Sequence, residues 1–462
     1  MQESLSEKRK IKRQYFISER QDFSCMAFSM DFNFLLTLAD IKVKAVPVII
    51  GVLFFGLIIA IHEFGHFIFA KLFKVKVNEF AIGMGPTILK KQGKETKYAI
   101  RLFPIGGFVS MEGEGEESED ERAYCNQKTW KKMIIISAGA VMNLILGLIL
   151  CVILVSGEDA IGTNRISGFY ESAVSNSSLQ LDDEIIKIDG KRVFSNYDIT
   201  FLMQRNASGK FDFTVERNGE KLLLEDVPFQ KITRGNFGYN DRKISSVSAN
   251  LKRAGLADGD VIKAINGKSV KNDDELISLI RADEDYIVDF EVLRGEESLS
   301  FTDVKLAAVT IFDFTVYPAV KNASSVLKEA VSYSFSLGRM VYLSLFDLIS
   351  GQYGLNDISG PIGTMSIITD VAEESVATTD YSSLFMLFAM ITINIGLFNL
   401  LPVPALDGGH LFFMFVELII RRKIPQKYVS WVSGAGLVLL LIFMAVVSAN
   451  DLWKWISGIG FM

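Results

Sequence analysis

The chain has 462 residues, of which 49% are hydrophobic and 22% are charged, and its formal net charge is −6. This length allows two or three domains, and the small net charge argues against a nucleic-acid partner. The three cysteines, Cys25, Cys125 and Cys151, contain no CxxC pair and are odd in number. This pattern excludes a disulfide framework and a thiolate zinc site.

Four apolar stretches are long enough to cross a bilayer, which takes roughly 17–25 mostly apolar residues. They cover residues 45–69, 133–155, 384–401 and 429–447. A fifth stretch, 411–420, is too short to span and is predicted to be re-entrant or interfacial. The first stretch is too long for a cleaved signal peptide and carries three ionisable residues near its end. We therefore predict a polytopic α-helical membrane protein with four spans.

The first span contains the sequence His-Glu-Phe-Gly-His, which places His62 and His66 four residues apart. On a helix both imidazoles share one face and can reach one metal ion, and Glu63 can take a proton from a water molecule there. An ionised group inside a span costs roughly 2.5 kcal/mol or more, so such residues usually mark function. The alternative is a pair of helix-end histidines satisfied by backbone or lipid headgroups.

The loop between the first two spans contains seven carboxylates in residues 112–121. Acidic runs of this kind are usually solvated, and no chemistry is assigned to this one.

A repeat with a period of 77 residues follows the second span. Residues 183–191 and 260–268 both place alternating apolar residues before Asp-Gly or Asn-Gly, as in a strand that enters a tight turn. Each copy predicts a following helix, near 197–204 and 274–280, and then a strand, at 211–217 and 287–294. A repeat this long indicates two copies of one small α+β domain, at 160–235 and 236–310.

The second copy resembles the circularly permuted PDZ domains of bacterial proteases over residues 254–268, and the first copy is a more diverged relative. This resemblance implies capture of peptide ends by strand addition at a sheet edge. The alternative is a rigid spacer.

Residues 323–380 form a mixed juxtamembrane region. Its segment 325–349 has helical periodicity and is predicted to lie on the membrane or to cover the core. A fifth span is the alternative, against which four charged residues argue: Lys328, Glu329, Arg339 and Asp347.

The third span ends in Asn-Leu-Leu-Pro-Val-Pro-Ala-Leu-Asp-Gly-Gly, which begins at Asn399 and contains Asp407. Two prolines break the helix there, and irregular backbone at membrane depth needs surrounding protein or a wet cavity. A catalytic zinc ion generally takes three protein ligands. Asp407 is the predicted third ligand beside the two histidines, and His410 is its rival.

Together, HExxH in the first span and Asn-x-x-Pro-x-Pro-x-Leu-Asp-Gly in a later span resemble the site-2 protease family. With the tandem domains, the chain is most similar to bacterial RseP-type intramembrane proteases over residues 46–448. The segments 137–143 and 357–363 also resemble family segments. The resemblance implies Zn²⁺ and hydrolysis within or near the spans of trimmed single-span proteins, such as anti-sigma factors or signal-peptide remnants.

The resemblance further implies a membrane-dipping β-hairpin, from about Gly83 to Glu112, that holds the substrate extended. It also implies that Asn394 and Asn399 hydrogen-bond the substrate backbone. The alternative for these two residues is hydrogen bonding between helices within the lipid.

Basic loops predict the orientation, because they stay cytoplasmic. Residues 71–132 hold twelve lysines and arginines and 421–427 hold four, whereas the tail at 451–462 has only Lys454. We therefore expect a bacterial cytoplasmic membrane protein whose active site faces the cytoplasm and whose PDZ-like domains are extracytoplasmic. The eight basic residues in 1–44 do not fit this orientation. Four spans place the N-terminal end outside the cytoplasm, where a basic segment is not expected. Residues 1–29 are therefore expected to be an over-long start, with Met30 as the native one, or an interfacial segment.

The remaining boundaries follow from these elements: the two halves of the membrane core at 45–156 and 381–450, with a C-terminal tail at 451–462. Two other functions were weighed. A membrane scaffold would bind peptide ends without needing Glu63, and a metal transporter would need ligands along a path rather than near one membrane face.

Overall fold

The computed structural model describes residues 46–115, 117–171, 173–206, 208–233, 237–247, 251–252, 254–283, 286–306, 308–310, 312–351 and 358–456. The predictions made for residues 1–44 and for half of the C-terminal tail, residues 457–462, lie outside these residues. So does the first residue of the segment 357–363.

The helices of nine or more residues in the described chain include long apolar helices and two short amphipathic ones. They are α1 (Val46–Leu72), α2 (Thr129–Gly157), α3 (Asn196–Arg205), α4 (Asp273–Arg281), α5 (Ala323–Ile349), α6 (Pro361–Thr378), α7 (Ser382–Phe398), α8 (Asp407–Ile420) and α9 (Gln426–Ile456). Within the described residues, α1, α2 and most of α9 are long and apolar enough to cross a membrane. The apolar helix α7 has 17 residues. The chain is therefore a membrane protein with inserted sheet domains.

One hydrophobic core joins α1, α2, α5 and α7. Phe54 of α1 stacks on Phe388 of α7 with ring centroids 3.5 Å apart, and Ile58, Leu150 and Cys151 are buried beside them. His66, near the end of α1, contacts Ile135 near the start of α2, whereas Ile58 in the middle of α1 shares this core with Cys151 near the end of α2. The two helices therefore run antiparallel. Helix α5 packs on α2 and α7, and α6 packs on α7 and α9.

The loop between α1 and α2 forms a hairpin of β1 (Val77–Gln92) and β2 (Lys97–Met111). Both strands bend, so that residues 79–82 pair with 97–100 on one side and with 107–110 on the other. The result is a sheet of four segments in which 107–111 and 87–92 are the two edges. Gly83 and Gly106 bend the strands with φ of 86° and 90°, a conformation that favours glycine. Near the bends, Met84 and Phe103 are more than half exposed.

Two antiparallel sheets lie between α2 and α5. Their strands are β3 (Ile161–Phe169), β4 (Glu184–Ile188), β5 (Lys191–Arg192), β6 (Lys210–Arg217), β7 (Glu220–Pro228), β8 (Lys231–Thr233), β9 (Phe237–Asn240), β10 (Lys243–Val247), β11 (Val261–Ile265), β12 (Lys268–Ser269), β13 (Ile287–Arg294), β14 (Glu297–Lys305), β15 (Ala308–Thr310) and β16 (Phe314–Ala319). The first sheet has the order β16–β3–β4–β6–β7, and the second β14–β13–β11–β10–β9. We call these sheets, with α3 and α4 respectively, the first and second sheet domains.

The two sheet domains repeat the same internal contacts. Arg217 donates to the buried Asp183 at 2.7 Å, and Arg294 donates to the buried Asp260 at 2.8 Å. In both copies the partners are 34 residues apart. The helices and strands predicted for each repeat are present, and the two copies have the same strand order. Whether they have PDZ function stays a prediction.

The two sheet domains are not consecutive along the chain. Strand β16 follows the whole second domain in sequence, yet it is the outer strand of the first sheet. Strands β8 and β15 pair at the point where the chain leaves and re-enters the first domain. The second domain is thus inserted into the first, and the predicted boundary 160–235 did not include β16.

Candidate metal centre

The two histidines lie in the last turns of α1, where α2 passes unusually close. A Cβ atom on Gly139 would be 2.4 Å from His66 Nε2, and one on Gly65 would be 2.5 Å from the Ala138 carbonyl oxygen. Real Cβ atoms do not approach other atoms this closely. Small residues commonly allow such contacts between membrane helices. The α1–α2 contact therefore leaves room for both imidazoles only because these positions are glycine.

Asp407 is held by the loop that follows α7. The Asn399 carbonyl accepts a hydrogen bond from Gly408 N at 2.7 Å, and Ala405 has φ of 77°, which is rare for alanine. A Cβ on Gly408 would be 1.9 Å from the Leu401 carbonyl oxygen. This tightly folded loop places Asp407 as the first residue of α8.

Three potential ligand atoms meet at almost equal distances. The two Nε2 atoms of His62 and His66 are 3.2 Å apart, and Asp407 Oδ2 is 3.1 Å from the first and 3.3 Å from the second. Zinc bonds to nitrogen and oxygen of about 2.0–2.1 Å in tetrahedral geometry separate neighbouring ligand atoms by about 3.3–3.4 Å. Asp407 Oδ2 is buried and accepts no hydrogen bond from the described residues. The three residues therefore fit a tetrahedral zinc ion with one position left over.

His410 lies on the same helix as Asp407 but does not belong to this group. The cluster of potential ligands found in the described part of the chain consists of His62, His66 and Asp407.

Comparison with known proteins decides the family. The sequence model described as Peptidase family M50 matches residues 50–443. The chain belongs to this family. It is a zinc metalloendopeptidase of the site-2 protease type.

Several bacterial relatives match along nearly their whole length. The regulator of sigma-W protease RasP of Bacillus subtilis is 30% identical, over 88% of this chain and 98% of its own. The zinc metalloprotease RasP of Bacillus licheniformis is 29% identical, over 88% and 99%. FN1322 of Fusobacterium nucleatum, provisionally named a zinc metalloprotease, is 30% identical, over 88% and 98%.

Two groups that support the histidines in this M50 peptidase were missed by sequence reasoning. His66 Nδ1 donates to the Ile135 carbonyl oxygen at 2.8 Å, which leaves its Nε2 lone pair free for a metal. Asn143 is fully buried, and its Nδ2 lies 3.5 Å from His62 Nδ1. A polar residue within the apolar α2 was an available signal for Asn143. No sequence signal points to a backbone carbonyl such as that of Ile135.

Glu63 lies between the histidines and the edge of the hairpin. A Cβ on Gly107 would be 3.1 Å from Glu63 Cγ, so the edge segment 107–111 passes directly beside this side chain. The peptidase therefore places a carboxylate and an open strand edge next to the ligand cluster.

The two predicted substrate-binding asparagines form no hydrogen bond to His62, His66 or Asp407. Asn394 lines a cavity of about 570 Å³ between α5 and α7, and its Oδ1 is buried without a partner. Asn399 ends α7, where its backbone holds Gly408.

Ion pairs attach the hairpin to its surroundings. Glu95, in the turn between β1 and β2, accepts from Lys71 of α1 and from Arg122, both at 2.6 Å. These two hydrogen bonds lower the pKa of Glu95 to about 2. The acidic run was predicted to be solvated, yet its Asp120 accepts from Lys76 at 3.2 Å. The contact of Glu95 with Lys71 holds the hairpin base, and thus its edge, beside α1.

Proposed function

We propose that this peptidase hydrolyses peptide bonds within or near the transmembrane segments of single-span membrane proteins. In this proposal His62, His66 and Asp407 hold the zinc ion, and Glu63 is the catalytic base. The observation that carries it is the triangle of ligand atoms with sides of 3.1–3.3 Å, which is formed by membrane helices.

Zinc supplies Lewis acidity, which favours water as a nucleophile and polarises a carbonyl group. Glu63 takes a proton from the attacking water as the water oxygen bonds to the carbonyl carbon. It returns this proton to the amide nitrogen when the C–N bond breaks, which gives a new carboxyl group and a free amine. Asn143 and the Ile135 carbonyl orient the imidazoles throughout.

The hairpin edge 107–111 is the part of the molecule proposed to hold the substrate. An extended chain can add to an open strand edge through main-chain hydrogen bonds. Because this edge lies beside Glu63, an added strand would be carried towards the ligand cluster. The exposed apolar side chains of Met84 and Phe103 favour a hairpin that dips into the membrane. Asn394 and Asn399 would then contact the substrate backbone from α7.

The arrangement across the membrane follows from α2. His66 contacts Ile135, whereas the sheet domains begin after Gly157, about 30 Å further along the helix at 1.5 Å per residue. This separation supports an arrangement in which the sheet domains and the ligand cluster belong to opposite membrane faces. With α7 as the fourth span, the basic loops favour the cytoplasmic side for the cluster. The name of RasP refers to a sigma factor, which favours anti-sigma factors among the substrates.

The substitution Glu63→Gln tests the proposal. It should lower cleavage of a single-span model substrate by about 100-fold or more, because an amide cannot accept the proton of water. Bound zinc should stay near one per chain, measured by elemental analysis of the purified protein in nanodiscs. Glu297→Gln, at an exposed strand end in the second domain, is the matched control. Cleavage by Glu63→Gln at the rate of this control would refute the proposed base.

A further inference from the structure

The strand edge beside Glu63 ends at Met111, where the chain turns back on itself. Glu114 N donates to the Met111 carbonyl oxygen at 3.3 Å, and Glu114 Oε2 accepts a hydrogen bond from Met111 N at 3.2 Å. Gly113, the third residue of this turn, has φ of 69°, a conformation that favours glycine. One residue, Glu114, thus satisfies both backbone polar groups of Met111.

These two groups of Met111 belong to the open side of the strand. Glu112 N donates to the Lys76 carbonyl oxygen at 2.9 Å, so the backbone polar groups of Glu112 face β1. Because these groups alternate in direction along an antiparallel strand, those of Met111, Val109 and Gly107 face away from β1. A chain that adds to this edge can therefore pair with Gly107 and Val109, but it meets an occupied position at Met111.

The carboxylate of Glu114 differs from its acidic neighbours at the hairpin base. Four of these neighbours pair with lysine or arginine at 2.6–3.4 Å, namely Glu79, Glu95, Glu112 and Asp120. Among the described residues, the Glu114 carboxylate is held by Met111 N and forms no ion pair, and the residue is exposed. An exposed carboxylate without a counter-ion at the end of a strand edge is suited to bind a cation of the chain that adds there.

The two ends of this edge face different parts of a substrate. The Met111 end lies at the hairpin base, where Lys71 at the end of α1 binds the turn between the strands, whereas the other end follows the bend at Gly106. In the proposed orientation the base faces the cytoplasm, so the cytoplasmic flank of the substrate lies beside Met111. Residues that flank a span on this side are often lysine and arginine. Their charge is complementary to that of Glu114.

We propose that Glu114 is a specificity-determining residue whose carboxylate binds a lysine or arginine on the cytoplasmic flank of the substrate. The added strand pairs with Gly107 and Val109 and then leaves the edge, because Glu114 occupies Met111. Since paired strands advance together, the basic residue lies about four residues from the position beside Glu63. This inference rests on the proposed function, because it requires strand addition beside Glu63.

The test compares single-span substrates that carry either lysine or glutamate at one position of an otherwise uncharged cytoplasmic flank, and this position is moved along the flank. At about four residues from the cut, the full-length zinc-loaded protein in nanodiscs should cleave the lysine substrate with a kcat/KM about fivefold higher, the size expected of one exposed ion pair. The difference should lie mainly in KM.

Three variants separate the charge of Glu114 from its hydrogen bond. Glu114→Gln keeps an oxygen that accepts from Met111 N, yet it should remove the preference for lysine. Glu114→Lys should reverse the preference. Glu119→Gln removes one exposed charge from the same acidic run, so it is the matched control and should retain the preference.

Binding provides a second readout that does not need turnover. The dissociation constants of the two substrates for zinc-loaded Glu63→Gln protein should differ by a similar factor, and adding Glu114→Gln should make them equal. A parent protein that cleaves neither substrate would count against the proposed hydrolysis, while the binding preference would still test Glu114. Equal binding of the lysine and glutamate substrates at every flank position, or an equal loss for both in Glu114→Lys, would overturn the proposal.

Discussion

The metal centre and the sheet domains lie at opposite ends of α2 and are built in different ways. At the metal centre, helices meet through glycine, and polar groups such as Asn143 are buried at the contact. In the sheet domains, separate hydrophobic cores are closed by ion pairs that contain a buried aspartate, such as Asp260–Arg294.

This difference has a physical reason. Helices in lipid gain little from burying apolar surface, so they associate through close packing of small residues and a few polar contacts. The domains fold in water, where apolar burial is the main driving force and a buried aspartate needs its partner. A substitution that enlarges a side chain should therefore have its largest effect on zinc binding at the metal centre. A substitution that removes a charge should have its largest effect on the stability of the sheet domains.

The largest expected effect is steric. Gly139→Ala inserts a methyl group where 2.4 Å is available before His66 Nε2, so the imidazole must move. We expect zinc affinity to fall about 100-fold or more, as for strong perturbations of groups around a metal. The measurement is zinc retention against a chelator. Gly434→Ala on α9 is the matched control, because among the described residues an added Cβ there would meet nothing within 4 Å beyond its own helix backbone and chain neighbours. Unfolding of the sheet domains should not change.

The second prediction concerns the loss of a charged side chain in the second sheet domain. Asp260→Asn removes the carboxylate that binds Arg294, which should destabilise this domain by about 2 kcal/mol. Limited proteolysis of the full chain measures the fraction of molecules in which the second sheet domain is unfolded. Zinc retention should equal that of the parent protein, and a loss of zinc would contradict the separation of the two regions.

The pH dependence of the same pair has a defined sign. Burial raises the pKa of Asp260, but hydrogen bonds from Arg294 and the Ala257 backbone outweigh burial and lower it. A carboxyl whose folded pKa is depressed stabilises the fold above its unfolded pKa, near 3.9. The resistance of the second domain to an acid-stable protease should thus fall as the pH drops below about 4. The Asp260→Asn variant should not show this fall in resistance.

The third prediction concerns a smaller contact at the metal centre. Asn143→Ala removes the side chain that approaches His62 Nδ1 at 3.5 Å and leaves the imidazole less well oriented. Zinc affinity should fall about 10-fold. Asn143→Asp should retain more affinity than Asn143→Ala, because a carboxylate oxygen at the position of Nδ2 would accept a hydrogen bond from the His62 Nδ1–H. The opposite order, measured by the same chelator competition, would show that Asn143 does not orient His62.

The sequence predicted the parts of this architecture that depend on short-range geometry. The four-residue spacing of His62 and His66 determines a shared helix face, and the prolines before Asp407 break the helix that would carry it away. The repeated elements follow from local turn and strand patterns, whereas the hairpin was implied by the family resemblance. Zinc binding by the three residues and peptide binding by the domains stay predictions.

Other features depend on contacts between distant segments. The proximity of Gly139 to the imidazoles arises only when α1 and α2 pack. Strand β16 joins the first sheet across the whole second domain, which no local pattern indicates. Asp407 and His410 both occur in the first turn of α8, and the fold of the preceding loop decides which of them faces the histidines.

Zinc content of the Asp407 and His410 variants tests the central claim most directly. Asp407→Asn should lower bound zinc and cleavage of the model substrate together, because it weakens one of three ligands. His410→Ala should retain nearly one zinc per chain and most of the activity. Both variants are purified in parallel and measured by elemental analysis. Full zinc in Asp407→Asn, with loss of zinc in His410→Ala, would contradict the account.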